Sequence, residues 1–344
     1  MRRSFLLLFL LSLVVGCASD EPAATTATST DLSSSSTTTA ASSTTATTTT
    51  VAATYEVLVT EEVEYMVPPF ARRAAVMDVY APESAGPWPV VIVYHADPNH
   101  NTKFRMRRLA LALAEQGNVV FNTDWGASGR PGSDAWEIAY LGQGPCTYWF
   151  AHQQAQEYGG DPNDISLVGF SGGANMAVAT AMYGGEDDLG CAAPPVAVQP
   201  SAVIAFEGDW LIGPWWDDVI ASDPDFYAKW AVWQHIDHYD GAPIHLLVDR
   251  QTSAADPPYY SVVGLGAAVD EFLALRDADG SIAADLSALG ALEDNNIDLI
   301  EFNLLFNYRL EQAGVPATLT WIDQSPHAVS WAAVAAINDL LEVD

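Results

Sequence analysis

Ser171 lies between a short apolar segment and a helical pattern, with glycines on both sides. Ser171 follows a short apolar run, 165–170, and precedes a stretch of small residues with helical spacing; Gly169 and Gly173 flank it two residues away on either side. The pattern is typical of a strand, a sharp turn and a helix, because side chains at the glycine positions would collide with the tight backbone. Such a turn lifts the serine hydroxyl above the edge of a parallel sheet. Ser171 is therefore a candidate nucleophile for attack on a carbonyl group.

A serine hydroxyl is a poor nucleophile unless a base lies within hydrogen-bond reach of it. A histidine imidazole is the usual base, and it would also protonate the leaving alcohol. The sequence has seven histidines, and we interpret five of them as structural or solvated: His100, His152, His235, His238 and His245.

The elements that must position these groups alternate along the chain. Buried strands are predicted at 90–94, 118–122, 165–170, 202–206, 244–248 and 317–322, an antiparallel entry at 55–66 and 75–80, and helices at 104–116, 146–158, 299–313 and 330–341. Strands and helices alternating at this spacing predict an α/β fold. The expected architecture is a doubly wound, mostly parallel sheet with helices on both faces.

The N-terminal part has the composition of an export signal. Arg2 and Arg3 precede an apolar stretch, 5–15, that is too short to span a bilayer as a mature helix, so residues 1–16 are predicted to be a signal peptide. Residues 14–17 resemble a bacterial lipobox, in which cleavage leaves Cys17 as a lipid-carrying N-terminus. An ordinary signal peptide with an incidental cysteine is the alternative. We expect an exported protein of the bacterial cell envelope, anchored to the membrane by this lipid.

A change of composition marks where the folded part begins. Residues 17–54 consist mostly of Ser, Thr and Ala and offer too little apolar surface to form a core, so we predict a disordered tether. Residues 55–344 are long enough for one α/β domain, with an insertion at about 253–296. Apart from Cys17, the cysteines are Cys146 and Cys191. A pair in an exported protein favours a disulfide over two buried thiols.

Charge and motifs restrict the partners. The formal net charge of −31 disfavours nucleic acid and anionic lipid as ligands. No metal-ligand spacing and no phosphate-binding glycine loop with a lysine stands out, so neither a metal nor a cofactor is expected. Residues 277–281 faintly resemble a calcium loop, but the later ligand positions are not met, and we interpret them as a solvated turn.

Over roughly 75–341 the chain resembles the α/β-hydrolases, close to the bacterial carboxylesterases and feruloyl esterases. Four features carry the resemblance: a proline-led strand that ends at His95, the run 146–174 with its Tyr-Gly-Gly-Asp-Pro turn and serine pentapeptide, a proline-led strand from Pro243, and the histidine after the last strand. The family has the order serine, acid, histidine, so the resemblance implies that His327 is the base that takes the proton of Ser171 and then protonates the leaving alcohol. The resemblance implies a cofactor-independent serine esterase that acts on a small-molecule or polymer-linked ester through an acyl-enzyme.

The resemblance places the acid a few residues after the strand 244–248. A comparison without gaps puts Thr252 there, and a threonine cannot hold imidazolium charge. We favour Asp256, which fits if the loop is four residues longer, over Asp249. Glu207 or Asp209, after the preceding strand, is a less favoured substitute.

The resemblance also implies an oxyanion hole made of two backbone N–H groups. Gly172 would supply one, and Ala96 or Asp97 the other, after His95, a position where the family has a histidine beside its oxyanion loop. Relatives carry glycines in this loop, and the following Pro98 has no N–H to donate. These departures keep a second hypothesis open, a hydrolase-fold lipoprotein that binds a ligand without turning it over.

Overall fold

The computed structural model describes residues 54–67, 75–96, 102–126, 142–184, 191–208, 210, 224–225, 228, 231–250, 274, 299–323 and 328–342. The strands among them are β1 (Val57–Met66), β2 (Ala75–Pro82), β3 (Trp88–Tyr94), β4 (Val119–Asp124), β5 (Gly160–Phe170), β6 (Val203–Phe206), β7 (Ile244–Asp249) and β8 (Ala317–Ile322). They form a sheet in the order β1-β2-β4-β3-β5-β6-β7-β8. The pairs β1–β2 and β2–β4 are antiparallel and the other pairs are parallel, which confirms the predicted mostly parallel sheet.

The strand order creates a crevice at the carboxyl ends of β3 and β5. From β3 the chain moves to β4 on one side and then crosses to β5 on the other side. Ligands of doubly wound sheets bind where the strand order reverses in this way, outside the carboxyl ends of the strands. Ser171 follows β5 and His95 follows β3, so both lie at this point.

Helices cover both faces of the sheet, as predicted. They are α1 (Arg107–Glu115), α2 (Gly144–Gln154), α3 (Gly172–Tyr183), the short α4 (Val232–His235), α5 (Leu299–Gln312) and α6 (Trp331–Leu341). One core contains residues of α1 and α6, and the other contains residues of α2 to α5. Alternate residues of β3 enter opposite cores. Val90 and Ile92 belong to the core with α2 to α5, and Val91 and Val93 belong to the core with α1 and α6. This two-sided burial explains why the strand reads as a continuous apolar run.

One strand is longer than its sequence pattern predicts. β5 begins at Gly160, which pairs with Trp88, and the pairing shifts register before Val90 meets Ile165. The Asp161 side chain accepts a hydrogen bond from the backbone N–H of Asn163 at 2.9 Å. This local bond is typical of a turn, so the segment reads as a turn although it runs beside β3.

Several predictions of domain organisation lie outside the described residues. These are the signal peptide, the lipidated Cys17, most of the tether and the insertion at about 253–296. The described residues all belong to the compact unit Val51–Asp344. None of the helices seen within the described ranges is both long and apolar enough to cross a bilayer.

A disulfide joins Cys146, in the first turn of α2, to Cys191, with the two Cα atoms 5.2 Å apart. The predicted pairing is thus confirmed. Cys191 also forms a β-bridge with Met66, and the N–H of Ala192 donates to the Tyr65 carbonyl at 2.9 Å. The covalent bond therefore ties α2 to the segment that runs along the end of β1.

We expect the double variant C146A/C191A to lose stability. The bond closes a loop of sequence separation 45, and the chain-entropy model assigns such a loop about 4 kcal/mol of unfolding free energy. Urea unfolding of the variant and of wild-type protein measures the difference. Wild-type protein treated with dithiothreitol is the matched control and should show the same loss. An unchanged midpoint in both would contradict the prediction.

Candidate active site

The backbone of Ser171 holds a conformation that side chains rarely adopt. Its φ is 54° and its ψ is −122°, close to the first central residue of a type II′ turn, which favours glycine. The Ser171 N–H donates to the Phe206 carbonyl at 2.9 Å, and the Ser171 carbonyl accepts from the Ala174 N–H at 2.8 Å. The end of β6 and the first turn of α3 therefore hold the strained residue in place. Strain of this kind concentrates at functional sites.

The glycines around the serine are required by close approach. A Cβ atom on Gly169 would lie 2.0 Å from the Gly173 carbonyl oxygen. A Cβ atom on Gly173 would lie 2.2 Å from the Tyr94 carbonyl oxygen and 2.5 Å from that of His95. The helix after the serine thus packs directly on the backbone at the end of β3. The predicted strand, turn and helix around Ser171 are confirmed, and Ser171 itself remains partly exposed.

Gly172 is the first residue of α3. The first N–H groups of an α-helix have no carbonyl acceptor within the helix, and the N-terminal end of the helix dipole is positive. Negative charge that develops beside Ser171 would be stabilised there. The oxyanion role of the Gly172 N–H stays a prediction.

At the end of β3, the fully buried His95 ring lies between groups from the end of β4. Its Nδ1 is 2.7 Å from the Ala96 carbonyl oxygen, and its Nε2 is 3.3 Å from both the Trp125 backbone nitrogen and Asp124 Oδ1. Trp125 Nε1 donates to the His95 carbonyl at 2.9 Å. The rings of His95 and Trp125 are stacked with centroids 5.6 Å apart. Sequence reasoning found His95 and Ala96 but missed Asp124 and Trp125.

Two buried acidic residues lie at the ends of neighbouring strands, at the same edge of the sheet. Asp249 ends β7, Glu207 follows β6, and both side chains are fully buried. The Asp249 backbone N–H donates to Glu207 Oε1 at 3.2 Å. Glu207 has a φ of 48°, and its own N–H donates to the Leu247 carbonyl at 2.9 Å. Of the candidate acids, Asp249 and Glu207 are therefore the two that the structure brings together.

The other predicted site residues lie outside the described residues: His327, Asp256, Asp97, Asp209 and Thr252. The pairing of Ser171 with His327 and the identity of the acid stay predictions. Among the described residues, no group of three or more His, Cys, Asp or Glu side chains could hold a metal ion.

Two further polar groups have structural roles. The Tyr94 hydroxyl bonds Thr147 Oγ1 at 2.6 Å, and burial raises the pKa of Tyr94 to about 12. Tyr94 therefore keeps its proton and fixes the end of β3 to α2. His245 Nδ1 bonds Thr318 Oγ1 at 2.8 Å between β7 and β8, in agreement with the structural interpretation of this histidine.

The fold is shared with known esterases. An esterase from the planctomycete Thermogutta terrifontis has 14% identity and a TM-score of 0.57, over 82% of this chain and 91% of that chain. The same organism's esterase 2 phosphonylated by sarin has 14% identity and a TM-score of 0.53, over 84% and 92% of the two chains. An acetyl ester-xyloside bifunctional hydrolase from Caldicellulosiruptor lactoaceticus has 14% identity and a TM-score of 0.54, over 82% and 97%.

These similarities establish that the chain has the α/β-hydrolase fold. The expected fold class is thereby confirmed. No protein-family model matches the chain. No curated protein matches it either.

We expect Gly173→Ala to disrupt the turn, since its Cβ would meet backbone oxygen atoms that cannot move away. The variant should lose about 3 kcal/mol of unfolding free energy, at the upper end of overpacking costs. Gly184→Ala is the matched control. Gly184 has a φ of +71° but nothing within 4 Å of an added Cβ, so the control should lose only about 1 kcal/mol, from backbone strain. Urea unfolding measures both, and equal losses would contradict the role given to Gly173.

Proposed function

We propose that the protein is a serine esterase that cleaves carboxylic esters through an acyl-enzyme on Ser171. The observation that carries the proposal is the backbone of Ser171, at φ 54° and ψ −122°, at the carboxyl end of β5. A turn of this kind exposes a hydroxyl at the point where the strand order of the sheet reverses. The α/β-hydrolase fold shared with known esterases supports the same reaction class.

The proposed reaction has two halves. Ser171 Oγ attacks the ester carbonyl while His327 takes its proton, and the tetrahedral oxyanion accepts hydrogen bonds from Gly172 N–H and from Ala96 or Asp97 N–H. His327 then gives the proton to the leaving alcohol. Water, activated by the same histidine, hydrolyses the acyl-enzyme.

The acid that orients His327 is proposed to be Asp256, with Asp249 as the alternative. A carboxylate bonded to Nδ1 holds the imidazole in the required tautomer and stabilises the imidazolium that forms during attack. The buried Glu207–Asp249 contact gives Asp249 a fixed backbone position at the same sheet edge. Its presence there is the reason to test Asp249 beside Asp256.

The proposed location is the bacterial cell envelope, outside the cytoplasm, with the enzyme anchored to the membrane through lipid on Cys17. The apolar stretch 5–15 and the residues before Cys17 support this proposal. Incorporation of labelled palmitate into wild-type protein but not into Cys17→Ser tests it. Equal labelling of both would reject lipidation at Cys17.

Ser171→Ala should lower kcat for p-nitrophenyl acetate by more than about 10⁴-fold, because the nucleophile is removed. A fluorophosphonate probe should label the wild-type protein once and leave the variant unlabelled. Circular dichroism of both proteins controls for folding. Folded wild-type protein that takes no label and does not hydrolyse the ester would reject the esterase, and would favour the ligand-binding alternative.

Removing the triad acid should cost about 10³-fold or more in kcat while leaving the fold intact. We expect this loss for Asp256→Asn. The matched controls Asp249→Asn and Glu207→Gln, which keep the volume of the buried side chains, should lose far less. A large loss in Asp249→Asn together with an active Asp256→Asn enzyme would transfer the role to Asp249.

A further inference from the structure

Side chains from the end of β4 hold the backbone at the end of β3. Trp125 Nε1–H donates to the His95 carbonyl at 2.9 Å, and the His95 Nδ1 lies 2.7 Å from the Ala96 carbonyl oxygen. Trp125 is 1% exposed, His95 0% and Ala96 8%, so water does not compete for these bonds. Two consecutive carbonyl groups are therefore fixed, one by an indole and the next by an imidazole.

The bonding pattern assigns the proton of the His95 ring. A carbonyl oxygen only accepts hydrogen bonds, so Nδ1 must carry a hydrogen to bond Ala96. Nε2 accepts the Trp125 backbone N–H at 3.3 Å, and Asp124 Oδ1 lies 3.3 Å from the same nitrogen. The ring therefore joins the Ala96 carbonyl to the end of β4.

Fixing a carbonyl also fixes an N–H group. A trans peptide group is planar and holds its C=O and its N–H on opposite sides. The bond from Trp125 to the His95 carbonyl sets the direction of the Ala96 N–H, and the bond from His95 to the Ala96 carbonyl holds Ala96 on its other side. The Ala96 N–H is the candidate for the second oxyanion donor that lies within the described residues.

The same backbone segment touches the nucleophile turn. A Cβ atom added to Gly173 would lie 2.2 Å from the Tyr94 carbonyl oxygen and 2.5 Å from the His95 carbonyl oxygen. A shift of this segment would therefore be felt at the first turn of α3, where Ser171 and Gly172 lie. The end of β3 and the Ser171 turn form one rigid contact.

We propose that Trp125 and His95 are positioning residues for the second oxyanion donor. Hydrogen bonds from these two buried side chains hold the carbonyl groups of His95 and Ala96. Donors held in place before the reaction stabilise the oxyanion without reorganisation, which is the source of their catalytic effect. The inference rests on the proposed esterase function, and neither side chain touches the reacting atoms.

The test compares Trp125→Phe with Trp149→Phe. Phenylalanine at 125 keeps an aromatic ring beside His95 but loses the indole N–H together with part of the ring volume, and Trp149→Phe loses the same N–H and the same volume. Trp149, in α2, is also 1% exposed but lies outside this hydrogen-bonded group, so it is a matched control for the loss of a buried indole. Trp125→Phe should lower kcat by about 10- to 100-fold, with KM changed less than about twofold, because a misplaced donor costs less than an absent one. The control should keep wild-type kcat.

A second readout separates positioning from general loosening. A trifluoromethyl ketone forms a tetrahedral adduct with an active serine, and the adduct carries an oxyanion. Its inhibition constant should rise in Trp125→Phe by the same factor as kcat falls, and should stay unchanged in Trp149→Phe. A kcat loss that is not matched by the inhibition constant would overturn the proposal.

Two variants of His95 make the test independent of Trp125. His95→Asn keeps an amide N–H near the place of Nδ1, whereas His95→Leu removes it, so the asparagine variant should retain clearly more activity and inhibitor affinity. If Trp125→Phe does not fold, the two His95 variants test the proposal through the same two measurements, kcat and the inhibition constant of the trifluoromethyl ketone. Active wild-type enzyme with Trp125→Phe, His95→Asn and His95→Leu all at wild-type values overturns this inference alone. Wild-type protein without esterase activity or probe labelling overturns the proposed function and this inference with it.

Discussion

The first turn of α3 packs against the backbone at the end of β3 so closely that no side chain fits between them. If Gly173 carried a side chain, its Cβ would lie only 2.2 Å from the Tyr94 carbonyl oxygen. Because α3 must approach from β5 at this distance, the chain turns within a single residue, and Ser171 takes a φ of 54°. The bond from its N–H to the Phe206 carbonyl offsets part of this strain. The turn thus depends on β3, β5 and β6 at once.

The parts of this arrangement that sequence reasoning could predict are those encoded locally. Strands buried on both faces appear as apolar runs, and the turn at Ser171 has glycines at fixed spacing, so the sheet and the nucleophile turn were both predictable. The start of β5 was not predictable, because Asp161 and Asn163 form a local hydrogen bond that is typical of a turn. The segment nevertheless pairs with β3. Local propensity was overridden there by pairing with a distant strand.

Contacts that depend on strand order were beyond prediction from local patterns. Trp125 follows β4, 30 residues after His95, and meets it only because β4 lies beside β3 in the sheet. In the sequence, Asp124 and Trp125 are simply the residues that follow an apolar run. The choice between the proposed acids is hard to make for a related reason, since placing Asp256 or Asp249 in that role depends on loop length after β7 rather than on a periodic pattern. Asp249 and Glu207 come together through the β6–β7 pairing, which no spacing in the sequence indicates.

The strain at Ser171 bears on the choice between an esterase and a protein that only binds a ligand. A glycine at position 171 would adopt a φ of 54° and a ψ of −122° without penalty, whereas a residue with a Cβ there costs on the order of 1–3 kcal/mol. In the proposed esterase, the hydroxyl at this position is the nucleophile, and its reaction with the ester is what offsets this cost. Glu207 has a similar φ of 48° at the end of the neighbouring strand, directly after the carbonyl that holds the Ser171 N–H. Glycine would adopt both conformations at lower cost, and of the two positions it is the strained backbone of Ser171 on which the proposed esterase rests.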